Sequence, residues 1–87
     1  MDRQRLDKWL WHARMVRTRA DAAGLVTGGR VRVNSRRIDA PGHALKRGDV
    51  VTVALDGRIC VWRIDDFAER RGDSGLARTL YTDIGKG

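Results

Sequence analysis

The chain has 87 residues, one cysteine and a net charge of +7, which limits it to a single small domain with no internal disulfide. A domain of this size buries only about 60 to 65 % of the surface of its unfolded chain, so we expect neither a deep active-site cavity nor an enzyme. No Cys or His cluster has metal-ligand spacing, so we expect no metal and no cofactor. The start is charged and apolar runs are short, so we expect no signal peptide and no membrane span. The absence of a disulfide or metal staple favours a reducing cytoplasm.

The first predicted element is an amphipathic helix from Leu6 to Val16. Its apolar residues recur at helical spacing and share one stripe: Leu6, Trp9, Leu10, Ala13 and Val16. Trp9 lies within this stripe, so we expect it in the core.

Trp11 points more than a right angle away from the centre of that stripe, between Lys8 and Arg14. A large apolar ring is unexpected on such a basic surface. Two interpretations stay open. The ring stacks on an unpaired base, or the C-terminal segment covers it through Leu76 or Tyr81.

The stretch "TRADAAGLVTGG" predicts a second helix. Thr18 and Asp21 have the spacing of a capping box, and Gly28 and Gly29 supply a stop signal. Only Arg17 is then left between the two helices, so we expect a very tight connection.

The hydrophobic period changes from 3.6 to 2 in the strand Arg30–Asn34, whose valines would face a core. Turn-forming residues lead to a short return strand at Arg37–Asp39. Arg32 could contact a ligand, or it could pair with Asp39 across this hairpin.

Two longer strands, Val50–Leu55 and Arg58–Ile64, are predicted on either side of the hairpin turn Asp56-Gly57. Trp62 on the second of them is expected to pack, and a short helix follows within Ser74–Tyr81. The order predicts an α+β fold: two packed N-terminal helices on an antiparallel sheet of four or so strands, with a short C-terminal helical segment.

The positive charge is concentrated in the first half of the chain. Residues 1–47 contain 12 lysines and arginines against 4 aspartates, whereas residues 48–87 contain 6 against 7 acids. Such polarity is typical of proteins that bind a polyanion, either nucleic acid or an anionic surface. A membrane adaptor would need one long basic helix with an apolar face, which is missing here, so we expect no membrane partner.

Cations from the first helix, the connection and the first strand pair are expected to contact phosphates. The candidate residues for RNA binding are Arg5, Lys8, Trp11, Arg14, Arg17, Thr18, Arg19, Arg30, Arg36 and Arg37. Backbone N–H groups at the start of the second helix, near Thr18, would add to the attraction for an anion. His12 and His43 have no partner at catalytic or metal spacing, and we expect both at the surface.

Four landmarks in order resemble the RNA-binding domain named after the fourth small-subunit ribosomal protein, the S4 domain. They are "RLDKWL", "TRADA", "GGRVRVN" and "LKRGDVVTV", and the resemblance runs from about Arg5 to Val53. It implies the helix-helix-strand core called the alpha-L motif. Ser35 stands where the family usually has glycine, so we expect a different or slightly strained turn.

The stretches "DKWLW" and "ERRGDSGLARTLY" are similar to small, stand-alone, stress-induced family members that associate with the ribosome. This implies a non-catalytic protein that binds structured ribosomal RNA on free large subunits carrying nascent-chain tRNA. We expect a monomer with an S4 domain over residues 1–66 and a C-terminal extension over 67–87, packed on that domain or trailing from it. The alternatives are a targeting module of an RNA-modifying enzyme and a cationic adaptor for an anionic surface.

Overall fold

The computed structural model describes residues 2–85, which form three helices and seven strands. The helices are α1 (Leu6–His12), α2 (Arg19–Thr27) and α3 (Ser74–Arg78). The strands are β1 (Arg3–Arg5), β2 (Val31–Val33), β3 (Arg36–Arg37), β4 (Ala44–Lys46), β5 (Val50–Leu55), β6 (Arg58–Ile64) and β7 (Tyr81–Asp83).

The strands form two antiparallel sheets. β1 and β4 make a two-stranded ribbon, and the other five strands make a sheet in the order β3-β2-β5-β6-β7. The predicted α+β fold is confirmed, but the number of strands was underestimated. The strands β1, β4 and β7 have three residues each, which is too short for an alternating pattern to stand out in the sequence.

The first helix is shorter than predicted, because α1 ends at His12 and not at Val16. Arg14 adopts a left-handed φ of 61°, which breaks the helical path. The Arg71 side chain then donates to the carbonyl oxygens of Trp11 at 3.1 Å and Val16 at 3.4 Å. Six residues, 13–18, therefore connect the helices, and the predicted tight connection is wrong.

The second helix begins as the sequence indicates. The Thr18 hydroxyl accepts a hydrogen bond from the Asp21 backbone N–H at 3.0 Å, which satisfies one free donor of the first turn. At the other end Gly29 has a φ of 78°, and a Cβ there would collide with the Arg37 guanidinium. The positive φ favours glycine at this turn, and the Arg37 guanidinium occupies the space next to its Cα.

A two-residue turn joins β2 to β3. Asn34 and Ser35 both have positive φ, 52° and 71°, as a type I′ hairpin turn requires, so Ser35 carries the strain that a glycine would avoid. The return strand is Arg36–Arg37 and not Arg37–Asp39. The register places Arg32 opposite Arg37, which argues against the open alternative that Arg32 lies across from Asp39.

The core lies between α1 and α2 and one face of the five-stranded sheet. Trp9 is fully buried, as predicted, and its indole N–H donates to the Asp66 carbonyl oxygen at 3.1 Å. The ring of Trp62 lies edge-on to that of Trp9, with 6.4 Å between the ring centroids, and it stacks on Tyr81 with 3.6 Å between the centroids. These contacts confirm that Trp62 packs. Removing a buried tryptophan such as Trp9 would cost about 3 to 5 kcal/mol.

The residues that follow position 66 pack on the same core. Phe67, Ala68 and Leu80 belong to the main hydrophobic cluster, and β7 pairs with β6. The Ala68 carbonyl oxygen accepts from the Gln4 side chain at 2.7 Å and lies 3.0 Å from His12 Nδ1. Residues 86 and 87 of the predicted extension lie outside the described residues, and the domain boundary stays a prediction.

Candidate nucleic-acid interface

Asp7 brings two of the predicted arginines together at the start of the helices. Its carboxylate accepts two hydrogen bonds from Arg5, both at 3.1 Å, and lies 3.8 Å from the Arg19 guanidinium. The carboxylate is buried, whereas about half of each arginine side chain is exposed. Asp7 therefore orients both cations while leaving them open to a ligand.

The pKa of Asp7 reflects these contacts. Burial acts to raise it, but hydrogen bonds from Arg5 and from the Lys8 backbone N–H outweigh burial and hold the pKa below its usual value. The charges of Arg5 and Arg19 act in the same direction. Asp7 is thus ionised at neutral pH and keeps both guanidinium groups in place.

The connection between the helices places Arg17 beside the five-stranded sheet. Arg17 and Arg30 line one shallow groove between α2 and the sheet, together with the apolar side chain of Leu25. Next to Arg30, the Arg37 guanidinium lies against Gly29. Three separate segments thus contribute arginines to one neighbourhood.

We call this neighbourhood the basic face, and it joins the groups around Asp7 and around the groove. Its members are Arg5, Arg17, Thr18, Arg19, Arg30 and Arg37, all exposed. Arg30 is 3.3 Å from the fully exposed carboxylate of Asp56, a surface contact that solvent and salt screen. Within residues 2–85, Arg17 and Arg37 have no ion-pair partner.

Arg36 lies apart from the basic face, because neighbouring residues of a strand point to opposite sides of the sheet. It lines a second cavity, the hairpin groove, of about 490 Å³ between the β2–β3 hairpin and the β1–β4 ribbon. Arg3, His43 and Lys46 line the same groove. None of these three was predicted as a site residue, because each belongs to a strand or loop too short to recognise.

Trp11 and Arg14 lie towards the C-terminal segment, whereas Lys8 is half-buried and its charge acts on His12. Trp11 is half-buried, and the Arg71 guanidinium is 5.9 Å from its ring centroid. Arg14 is exposed and donates to the Gly72 carbonyl oxygen at 3.1 Å. The C-terminal segment therefore reaches Trp11 through Arg71.

Of the two residues expected to cover Trp11, Tyr81 stacks on Trp62 instead, and Leu76 remains 38 % exposed. Arg71 covers only part of the indole of Trp11, so this ring keeps accessible surface on which a base could stack.

The prediction that both histidines lie at the surface is wrong. His12 is 1 % exposed beneath the Ala68 carbonyl, and burial lowers its pKa. The bond to Ala68 opposes that shift, whereas the neighbouring charges, mainly of Lys8, add to it. His43 is half-buried in the hairpin groove.

Two arginines outside the basic face, Arg47 and Arg63, are held by acids. Arg47 donates to the Asp66 carboxylate at 2.8 Å and lies over the Phe67 ring at 5.1 Å, and Arg63 donates to Asp65 at 3.0 Å. The described residues contain no group of acids, histidines and cysteines that could hold a metal ion. Among them there is also no helix that is long and apolar enough to cross a membrane.

Comparison with known proteins places this chain in a family. The S4 domain family model matches residues 4–51. Heat shock protein 15 of Escherichia coli (strain K12) is 54 % identical over 79 residues, which are 91 % of this chain and 59 % of that protein. Small ribosomal subunit protein uS4 of Staphylococcus haemolyticus is 45 % identical over 49 residues, 56 % of this chain and 24 % of that protein.

A solved structure of heat shock protein 15 from Vibrio cholerae, described as trimeric, superposes with a TM-score of 0.89. It is 31 % identical and covers 95 % of this chain and 83 % of its own. The chain spans only 59 % of the length of the Escherichia coli relative. From the family match and the shared fold, we conclude that the chain belongs to the S4 domain family of RNA-binding domains.

Proposed function

We propose that this protein is a non-catalytic RNA-binding protein that binds structured ribosomal RNA on free large ribosomal subunits carrying nascent-chain tRNA. The observation that carries the proposal is the basic face, where exposed arginines from three segments converge on an S4 domain. Similarity to heat shock protein 15 and to a small-subunit ribosomal protein supports the ribosome as the place of action.

The basic face can bind a folded RNA because its cations lie on or beside packed secondary-structure elements. Arg5 and Arg19 are oriented by the buried Asp7, and Arg37 is seated against Gly29. Cations whose positions are already restricted lose less conformational freedom when they bind. Contacts with phosphates carry no direct sequence information, so they recognise the shape of the RNA backbone. This is expected for a protein that binds a folded RNA.

We further propose that the protein acts in the cytoplasm, where ribosomes work, and that it binds as a monomer. The Vibrio cholerae relative is described as trimeric, so the monomer needs a direct test. Sedimentation equilibrium over a wide concentration range would give the mass of one chain, about 9.8 kDa, if the monomer is correct. A constant mass of three chains would contradict it.

Cosedimentation with defined particles tests the function. We expect the protein to pellet with large subunits that carry peptidyl-tRNA, and to pellet less with empty large subunits, intact ribosomes and small subunits. Equal recovery with all four particles would contradict the assignment to free large subunits while leaving RNA binding intact. No recovery with any of them would contradict ribosome binding altogether.

A pair of charge-matched variants controls for non-specific attraction. Arg17→Glu with Arg19→Glu reverses two charges on the basic face, and Arg58→Glu with Arg78→Glu reverses two exposed charges in the second half. The net charge is the same in both variants. We expect large-subunit binding to be lost only in the first. Equal losses would leave diffuse electrostatic attraction as the explanation.

A further inference from the structure

The hairpin groove contains a concentration of positive charge that the fold itself does not require. Arg3 and Lys46 are directly opposite each other in the β1–β4 register, and both are exposed. Directly opposed like charges destabilise a strand pair. The β1–β4 ribbon forms one wall of the groove, and the β2–β3 hairpin, which forms the other wall, adds a third cation, Arg36. Such an arrangement is favourable when an anion lies between the walls.

Among the described residues, one acid lines the groove, and it does not cancel this charge. Asp49 is only 7 % exposed, and its two carboxylate oxygens accept from the Asn34 side chain at 3.0 Å and from the Lys46 backbone N–H at 2.9 Å. These bonds tie the hairpin turn to the β4–β5 turn. Asp49 thus holds the two turns together. Its single buried carboxylate is outnumbered by the three cations of the groove.

The rest of the lining is apolar or aromatic. Ile38 and His43 are half-buried in the groove, Val33 forms part of its base, and Ala44 is exposed at its edge. A free inorganic anion would gain nothing from these side chains. A ligand with a negative group and a flat, largely apolar body would contact both parts of the lining.

We propose that the hairpin groove binds one unpaired nucleotide of RNA, with its phosphate held by Arg3, Arg36 and Lys46 and its base against Ile38 and His43. The proposal rests on the proposed RNA-binding function and names the part of the RNA that this groove would take. The cavity of about 490 Å³ falls within the range of small-molecule sites. Proteins commonly recognise RNA through splayed-out bases that stack on aromatic or histidine side chains.

Nuclear magnetic resonance with ribonucleoside 5′-monophosphates tests the base contact. The chain has two histidines, so the ring signals of His43 and of the buried His12 can be followed separately. We expect the nucleotide to shift the His43 signals and leave those of His12 unchanged, with a much smaller effect from inorganic phosphate. No shift of His43, or an equal shift with inorganic phosphate, would overturn the proposal.

Variants of the groove test the same contact in longer RNA. Ala44→Phe narrows the groove without changing charge, Lys46→Gln removes one cation, and Arg58→Gln is the control for a lost surface charge. The probes are an RNA hairpin with an unpaired loop and a fully paired RNA with the same number of phosphates. We expect both groove variants to bind the looped RNA about tenfold more weakly and the paired RNA within about twofold of the unchanged protein. Arg58→Gln should bind both probes within about twofold.

The outcomes separate this proposal from the proposed function. If Ala44→Phe binds the looped RNA as tightly as the unchanged protein, the nucleotide site is wrong and large-subunit binding is unaffected. Equal losses on the looped and paired RNA would also overturn it, because the groove would then act only through general attraction. If the unchanged protein binds neither probe nor large subunits, the proposed function itself fails. Thermal melting of Ala44→Phe verifies that the variant folds.

Discussion

Replacing unpaired arginines should weaken RNA binding far more than replacing paired ones. The first variant is Arg17→Gln with Arg37→Gln, two exposed cations without an ion-pair partner in the described part of the chain. The second is Arg47→Gln with Arg63→Gln, whose side chains already donate to carboxylates at 2.8 and 3.0 Å. Each double variant lowers the net charge by two.

The expected difference follows from counterion release. Each phosphate contact contributes about 0.9 to the slope of log affinity against log salt, which at about 0.1 M salt corresponds to about 1.2 kcal/mol. Losing two contacts should therefore weaken binding by about 2.4 kcal/mol, or about 60-fold, and make the slope shallower by about 1.8. The paired arginines should change affinity by less than about threefold, because their acids already neutralise them.

Fluorescence anisotropy with a labelled ribosomal RNA fragment, titrated at several salt concentrations, measures both quantities. Equal affinity losses and equal slopes in the two double variants would refute the reasoning, since net charge alone would then govern binding. A loss of affinity with an unchanged slope in the first variant would also refute it, because Arg17 and Arg37 would then act through something other than phosphates.

Three further changes test single features. Trp11→Ala should weaken binding to unpaired RNA by about 1 to 3 kcal/mol in the same anisotropy assay. Unchanged affinity would mean that the ring contacts Arg71 and not a base. Burial lowers the pKa of His12 from its ordinary value of 6.5, so the unfolded chain binds more protons and the free energy of unfolding should fall as the pH drops below 6.5. Urea unfolding at about pH 7.5 and 5.5 should show this decline, and His12→Gln should reduce it; an equal decline in the variant would contradict the assignment. Ser35→Gly should raise the free energy of unfolding by about 0.5 to 1 kcal/mol, since φ is 71° there, and a lower melting temperature would contradict the strain.

Elements with several turns or alternations were predictable from sequence. The Thr18 cap, the hairpin between β5 and β6 and the buried Trp9 follow from local patterns that tertiary packing does not override. The end of α1 was not predictable from local sequence. Arg71, far along the chain, donates hydrogen bonds to the carbonyl oxygens of Trp11 and Val16 in this region.

The candidate site was partly predictable for the same reason. Charge distribution and sequence landmarks pointed to the arginines of the basic face, and the structure places several of them together. The hairpin groove was not predictable, because Arg3 and Lys46 become neighbours only when two three-residue strands pair across a long separation in sequence. The burial of His12 likewise depends on Ala68, which no local pattern connects to it.

The central claim is that RNA binds on the basic face, and a map of backbone amide shifts during titration with a ribosomal RNA fragment tests it most directly. We predict that the largest shifts cluster at residues 5, 17–19, 30 and 37, joined by residues 38 and 43 of the hairpin groove where the fragment has an unpaired nucleotide, with little change along β6 at residues 58–64. The largest shifts on β6, or shifts spread evenly over the chain, would contradict the account.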